Sequence, residues 1–104
     1  MIESGVCMWF REISPRDAIK QKNRFLFVDI RSTEEYEKSH IKGAIHIPYE
    51  RLENKKELPL RGKEIVVYCQ LGTLGIKAVR ILESLGYRAF NLSGGFRRWN
   101  GERD

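Results

Sequence analysis

Short, unbroken apolar runs alternate along this chain with charged segments of helical period. Residues 6–13 carry Val6, Cys7, Met8, Trp9, Phe10 and Ile13, which predicts an opening strand. Ser14 then reads as an N-cap, with Pro15 at the first helical position and Asp17 three residues after the cap, opening a short helix to about residue 20. Phe25-Leu26-Phe27-Val28 has no polar interruption, as expected of a strand covered on both faces, and it ends in Asp29-Ile30-Arg31. Ser32 and Glu35 form a capping box for a helix to about residue 39. Ala44-Ile45-His46-Ile47, closed by Pro48, predicts a short strand, and residues 49–57 a helical turn and charged loop. Arg61-Gly62-Lys63 turns the chain into a strand over 64–68. In the next segment Leu74, Ala78, Ile81, Leu82 and Leu85 share one helical face, Lys77, Arg80, Glu83 and Ser84 the other, and Gly86 suits the position after the end. Ala89-Phe90-Asn91-Leu92 reads as the last strand, Ser93-Gly94-Gly95 as a turn, and residues 96–100 as a short final helix.

Strands alternating with helices predict an α/β fold: a mainly parallel sheet of about five strands with helices on both faces. The 104 residues allow one domain over 1–104, with its core over about 6–100, and show no repeat or linker. An apolar content of 41%, with five Phe, four Tyr and two Trp, argues against disorder. No apolar run approaches the roughly 20 residues that span a bilayer. The first residues lack a charged region followed by an apolar one, so a cytoplasmic location is expected. Cys7 and Cys69 are the two cysteines, His40 and His46 the two histidines, and none falls in a metal-binding spacing; neither metal nor cofactor is expected. Cys7, near the first strand, reads as an inert thiol. The net charge of +5 is scattered, with pairs at Lys55-Lys56 and Arg97-Arg98. No basic run interleaves with aromatics, so nucleic acid is not an expected partner; the charge reads as a solvated surface that attracts small anions mildly. A monomer is expected.

Cys69 ends the run Ile65-Val66-Val67-Tyr68 and precedes Gln70-Leu71-Gly72-Thr73, which leads into the helix beginning near Leu74. A thiol there looks into the first turn of a helix, whose N–H groups lack intrahelical acceptors. Such groups favour negative charge and stabilise an anion on the sulfur. In parallel sheets ligands sit beyond the carboxyl ends of strands, where Asp29 and Cys69 both fall. The competing reading is a space-filling buried cysteine.

Five stretches in order carry a family resemblance: Val28-Asp29-Ile30-Arg31, then Glu34-Glu35-Tyr36, then His40-Ile41-Lys42-Gly43-Ala44-Ile45-His46-Ile47-Pro48, then Val66-Val67-Tyr68-Cys69-Gln70-Leu71-Gly72, and last Leu92-Ser93-Gly94-Gly95-Phe96-Arg97-Arg98-Trp99. The chain resembles a single-domain rhodanese, a thiosulfate:thiol-type sulfurtransferase, over about residues 6–100. The resemblance implies a rhodanese-like fold and a Cys69 that cycles through a persulfide. It implies a sulfur-binding loop of Gln70, Leu71, Gly72, Thr73 and Leu74, supported by Asp29 and Arg31, with Gly94, Gly95 and Trp99 in a C-terminal signature. The implied partners are a small sulfur donor (thiosulfate, mercaptopyruvate or a persulfide) and a thiol, cyanide or carrier-protein acceptor such as thioredoxin. A persulfide is anionic at neutral pH, and a concave row of backbone N–H groups can hold it without a side-chain cation.

One departure bears on the donor. Many family members carry Arg five residues after the Cys; this chain has Leu74, turned toward the core by its helical phase. Lys77 or Arg80 would have to replace it, or else both simply belong to a solvated face. Leu71 and Ile76 break the amphipathic pattern and together suggest a docking rim for a protein acceptor. His40 and His46 read as packing residues, Asp29 with Arg31 as a structural ion pair, and Trp9 and Trp99 as core or edge-packing aromatics. The alternatives are a non-catalytic rhodanese-like binding module and a Cys-based phosphatase or arsenate reductase. The last needs an Arg six residues after the Cys, where this chain has Gly75.

Overall fold

The computed structural model describes residues 11–54 and 64–104. In chain order its elements are β1 (Glu12–Ile13), α1 (Pro15–Lys20), β2 (Phe25–Asp29), α2 (Thr33–Lys38), β3 (Ile45–His46), α3 (Tyr49–Glu53), β4 (Glu64–Tyr68), α4 (Leu74–Ser84) and β5 (Ala89–Leu92), with 3-10 turns at Lys22–Arg24 and Phe96–Arg98. All five strands pair in parallel, in the order β1-β5-β4-β2-β3. The two strands with unbroken apolar runs, β2 and β4, lie at the centre, where both faces are covered.

The two-residue period of a strand divides the core in two. Ile65, Val67 and Cys69 face one way, with Val28 and Ile30, and pack under Leu52 of α3 and Ala78, Val79 and Leu82 of α4. Val66 and Tyr68 face the other way, with Phe25 and Phe27, and pack under Ala18 of α1, Phe96 and Trp99. Phe27 and Trp99 meet edge to face at 5.6 Å between ring centroids, an arrangement that aromatic quadrupoles favour.

The helix boundaries follow their caps. Ser14 Oγ accepts the Asp17 N–H at 3.1 Å, while Ser32 and Glu35 cap one another reciprocally. At the end of α4, Tyr87 N–H reaches the Leu82 carbonyl and Gly86 N–H the Glu83 carbonyl, both at 3.0 Å, a Schellman closure.

Some expectations change in detail. Of the opening strand, Glu12–Ile13 is seen; Cys7, Trp9 and the rest of 6–10 lie outside the described residues, as do Lys55-Lys56 and the turn at 61–63. The strand expected over 44–47 is two residues long: the Ile47 N–H still makes the ladder bond to the Asp29 carbonyl, and Pro48, with no N–H to continue it, leads into α3. The final helix is a single 3-10 turn. The buried stripe of α4 centres on Gly75, Ala78, Val79 and Leu82, which leaves Leu74, Ile81 and Leu85 half-buried on its flanks.

Candidate active site

β4 ends at Tyr68, so Cys69 leaves the sheet at its carboxyl edge, still pointing to the α4 face. The side chain is buried, with 7% of the residue exposed. Residues 70–73 then bend back over it, and the Gly72 N–H donates to Cys69 Sγ at 3.0 Å. A sulfur anion gains from such a donor. Thr73 provides no side-chain cap for α4. The thiol opens onto a cavity of about 460 Å³ bordered by Leu71, Leu74, Tyr49, Glu35 and Glu50.

The C-terminal turn braces this loop from behind. Cys69 O accepts the Phe96 N–H at 2.8 Å and Gln70 O the Arg97 N–H at 3.0 Å. Gly72 has φ +96 and Gly95 φ +69, conformations open to glycine at little steric cost. The two segments also touch: a Cβ at Gly72 would lie 3.1 Å from Gly94 N, and one at Gly95 2.6 Å from both the Cys69 and Gln70 carbonyl oxygens. The glycines of the loop and of the C-terminal turn therefore allow one backbone to pack directly on another.

Asp29 and Arg31 meet as expected. Arg31 Nε lies 3.0 Å from both Asp29 carboxylate oxygens, and Nη2 2.7 Å from Oδ2. Nη1 reaches Gln70 Oε1 at 3.1 Å and Nη2 the Ser39 carbonyl at 2.6 Å. The guanidinium thus ties β2 to the first residue of the Cys69 loop. Burial opposes its charge, but the hydrogen bonds and charge of Asp29 outweigh burial and hold its pKa above the ordinary value. Burial, and after it the Asp29 charge, push the neighbouring Tyr68 phenol far above its usual range. Its hydroxyl stays protonated and accepts the Ile41 N–H at 3.0 Å.

The other expected residues sort clearly. Gln70 is half-buried, Leu71 and Thr73 are exposed, and Leu74 is half-buried against the core while also bordering the cavity. Lys77 and Arg80 are exposed and do not border it, so neither takes the place of the absent arginine. Ile76 is half-buried and does not border the Cys69 cavity, whereas Leu71 does. His40 Nδ1 and His46 Nε2 each lie 2.7 Å from a carbonyl oxygen, of Tyr36 and Arg31 respectively. Carbonyls only accept, so those nitrogens carry the protons. Both rings stack on Tyr36, and neither borders the Cys69 cavity.

Sequence reasoning missed Asn91. It is fully buried on β5, and its Nδ2 donates to the Gly72 carbonyl at 2.9 Å and to Glu12 Oε2 at 3.1 Å. Its Oδ1 sits against Gly75, where a Cβ would fall 1.9 Å away. Asn91 thus occupies the space that any side chain at position 75 would need, which leaves no room for a phosphatase arginine. The carbonyl and N–H of a trans peptide point in opposite directions, so by holding the Gly72 carbonyl Asn91 also turns the Thr73 N–H away from itself. An Asn inside an apolar strand was the readable signal, because strands disfavour it. Asn91→Ala should destabilise the fold by about 1–3 kcal/mol, the usual cost of an orphaned buried acceptor, and slow reaction at Cys69. Urea unfolding and the rate of thiol alkylation would check this; unchanged values for both would remove Asn91 from the loop's support.

The rhodanese-like domain model matches residues 14–102. A putative sulfur carrier protein of Bacillus subtilis, YrkF, is 32% identical over 93 residues, which cover 85% of this chain; the chain spans 50% of that protein's length. The thiosulfate sulfurtransferase GlpE of Coxiella burnetii is 28% identical over 95 residues, 88% of this chain and 89% of that one. The crystal structure of a rhodanese-related protein from Thermoplasma volcanium superposes with a TM-score of 0.84 at 26% identity, covering 91% of this chain and 98% of that one.

Proposed function

Because the chain belongs to the rhodanese-like domain family, we propose that it is a sulfurtransferase that carries sulfane sulfur as a Cys69 persulfide. The observation that carries this reading is the Gly72 N–H aimed at Cys69 Sγ within a loop braced from three sides, by Arg97 and Phe96 N–H groups, by Arg31 through Gln70, and by Asn91. The Cys69 thiolate attacks the outer sulfur of a donor. With thiosulfate the S–S bond breaks and sulfite leaves with its electron pair. An acceptor thiolate or cyanide then attacks the outer sulfur of the persulfide, and the Cys69 thiolate departs. This is a ping-pong cycle on one nucleophile. The names of relatives, a sulfur carrier and a thiosulfate sulfurtransferase, agree with both halves of the cycle.

The test is intact mass after incubation with thiosulfate or mercaptopyruvate. The protein should gain one sulfur atom and lose it on adding cyanide. Failure to gain sulfur from either donor or from a small persulfide would favour a binding module instead.

The cavity predicts the better donor. Glu35 and Glu50 border it, Leu74 adds an aliphatic wall, and the guanidinium of Arg31 is already engaged by Asp29, Gln70 and Ser39. Among the described residues a dianion therefore meets two carboxylates and no free cation at this wall. Thiosulfate should show a high KM, and neutral or protein-borne persulfides should load Cys69 better. Leu74→Arg supplies a charge-assisted contact of about 1.5–3 kcal/mol, so it should lower the thiosulfate KM about tenfold to a hundredfold. Glu50→Gln should lower it by a smaller factor that fades with added salt. A tight thiosulfate KM in the unaltered protein would sink this reading of donor choice.

A further inference from the structure

A second concave surface begins on the far side of Leu71. It encloses about 870 Å³ and is bordered by Leu71, Arg16, Gly94, Arg97, Arg98 and Asn100. All three arginines are exposed, and none forms an ion pair among the described residues. Four other arginines are matched, Arg11 with Glu83, Arg24 and Arg88 with Glu64, and Arg31 with Asp29, while Arg51, Arg80 and Arg103 do not border this groove. Three uncompensated guanidinium groups from two separate segments therefore converge on one groove.

The groove is rigidly tied to the reactive cysteine. The turn that bears Arg97 and Arg98 is the one whose N–H groups hold the Cys69 and Gln70 carbonyls. The stem of Arg98 packs on Gly94, with Cδ 2.5 Å from where a Cβ would sit. Leu71 borders both the groove and the Cys69 cavity, and at 56% it is the one large apolar side chain exposed among the described residues. Charge changes sign across it: Glu35 and Glu50 lie on the cavity side, and the arginines on the groove side.

Resting on the sulfurtransferase reading, we propose that this groove seats an acidic stretch of the protein that exchanges sulfur with Cys69, with an apolar side chain of that partner against Leu71. Carboxylates on the arginines and an apolar contact at Leu71 would present a neighbouring partner thiol to the Cys69 cavity in one orientation. The partner thiol loses its proton to solvent and attacks the outer sulfur of the Cys69 persulfide. The S–S bond breaks, the partner becomes the persulfide, and the Cys69 thiolate leaves. Several carboxylates on one surface engage the three arginines together, which a single small anion cannot. Opposed potentials also raise the encounter rate. Among the described residues no aromatic side chain borders the groove on which a base could stack, so single-stranded nucleic acid fits it less well.

The probes are three synthetic peptides of equal length. Each has one Cys with a Leu beside it, flanked by Glu in the first, Gln in the second and Lys in the third. The persulfide-loaded protein should discharge to the Glu peptide about tenfold or more faster than to the Gln peptide at low salt, with the gap closing at high salt. Arg98→Glu, and separately Arg16→Glu, should shift the preference toward the Lys peptide. Discharge to the uncharged small thiol 2-mercaptoethanol should stay the same. Fluorescence anisotropy of labelled peptides, with Ser in place of Cys, reads the docking on unloaded protein. If Cys69 never loads, the sulfurtransferase reading fails, while preferential binding of the Glu peptide still supports the groove. Normal loading with equal discharge to Glu and Gln peptides would overturn the groove and leave the enzyme standing. Tighter binding of oligouridylate than of the Glu peptide would overturn it in favour of a nucleic-acid surface.

Discussion

Cys69→Ser should gain no sulfur from any donor and should transfer none, while folding normally. A serine hydroxyl occupies slightly less space, so the buried site loses little packing, and the Gly72 N–H keeps an oxygen acceptor. What disappears is the nucleophile: an alcohol is far less acidic than a thiol, and neither histidine borders the cavity to activate it. Activity should therefore fall by orders of magnitude to the uncatalysed background, with the thermal midpoint nearly unchanged. Cys7→Ala should leave both quantities as they were. Mass spectrometry of the two variants after exposure to a persulfide donor separates the outcomes. Sulfur retained on the Cys69 variant would mean that Cys7 carries it.

The largest stability effect should come from Arg31→Met. Asp29 is fully buried, and Arg31 supplies three of its side-chain contacts. Removing the guanidinium strands a carboxylate inside the core, which typically costs about 3–5 kcal/mol. In a domain whose total stability is on the order of 5–15 kcal/mol, that is a large share. The urea midpoint should drop accordingly with little change in slope. Gln70 also loses its anchor, so sulfur loading should slow even under conditions where the variant is folded. Asp29→Leu/Arg31→Met should recover much of the lost stability, because the pair is removed together, though not all of it: the Arg31 backbone N–H gives up its bond to Asp29 Oδ1. A loss below about 1 kcal/mol for the single variant would place the pair with screened surface bridges instead.

Much of this protein was legible along the chain because its signals are local. The caps at Ser14 and Ser32 involve residues three apart, so the helix starts could be read directly. The unbroken runs of β2 and β4 announced central strands, since a strand covered on both faces has no polar side to show. Cys69 was legible for the same reason: it stands where an apolar run meets a glycine-bearing loop and a helix. Gly72, in that loop, adopts a positive φ that glycine tolerates at little cost.

Tertiary structure alone decided how the loop is held and what surrounds it. Asn91 is 19 residues from Gly72 in the chain, and Arg31 is 39 from Gln70. No periodicity carries such pairings, because they depend on which strands lie side by side. The apposition of Gly72 with the Gly94–Gly95 turn likewise arises only when β5 docks beside β4. Helical phase turned Leu74 inward, but at the first position of α4, where it begins the helix beside the cavity, the same side chain both packs on the core and forms part of the wall. Charge followed the same rule. The sequence showed a scattered excess of basic residues, whereas folding matched four arginines with acids and gathered Arg16, Arg97 and Arg98 beside Leu71. Backbone hydrogen bonding and burial are written locally in a sequence; the neighbours of a side chain are set by the order of strands in the sheet, and that order is a property of the whole chain.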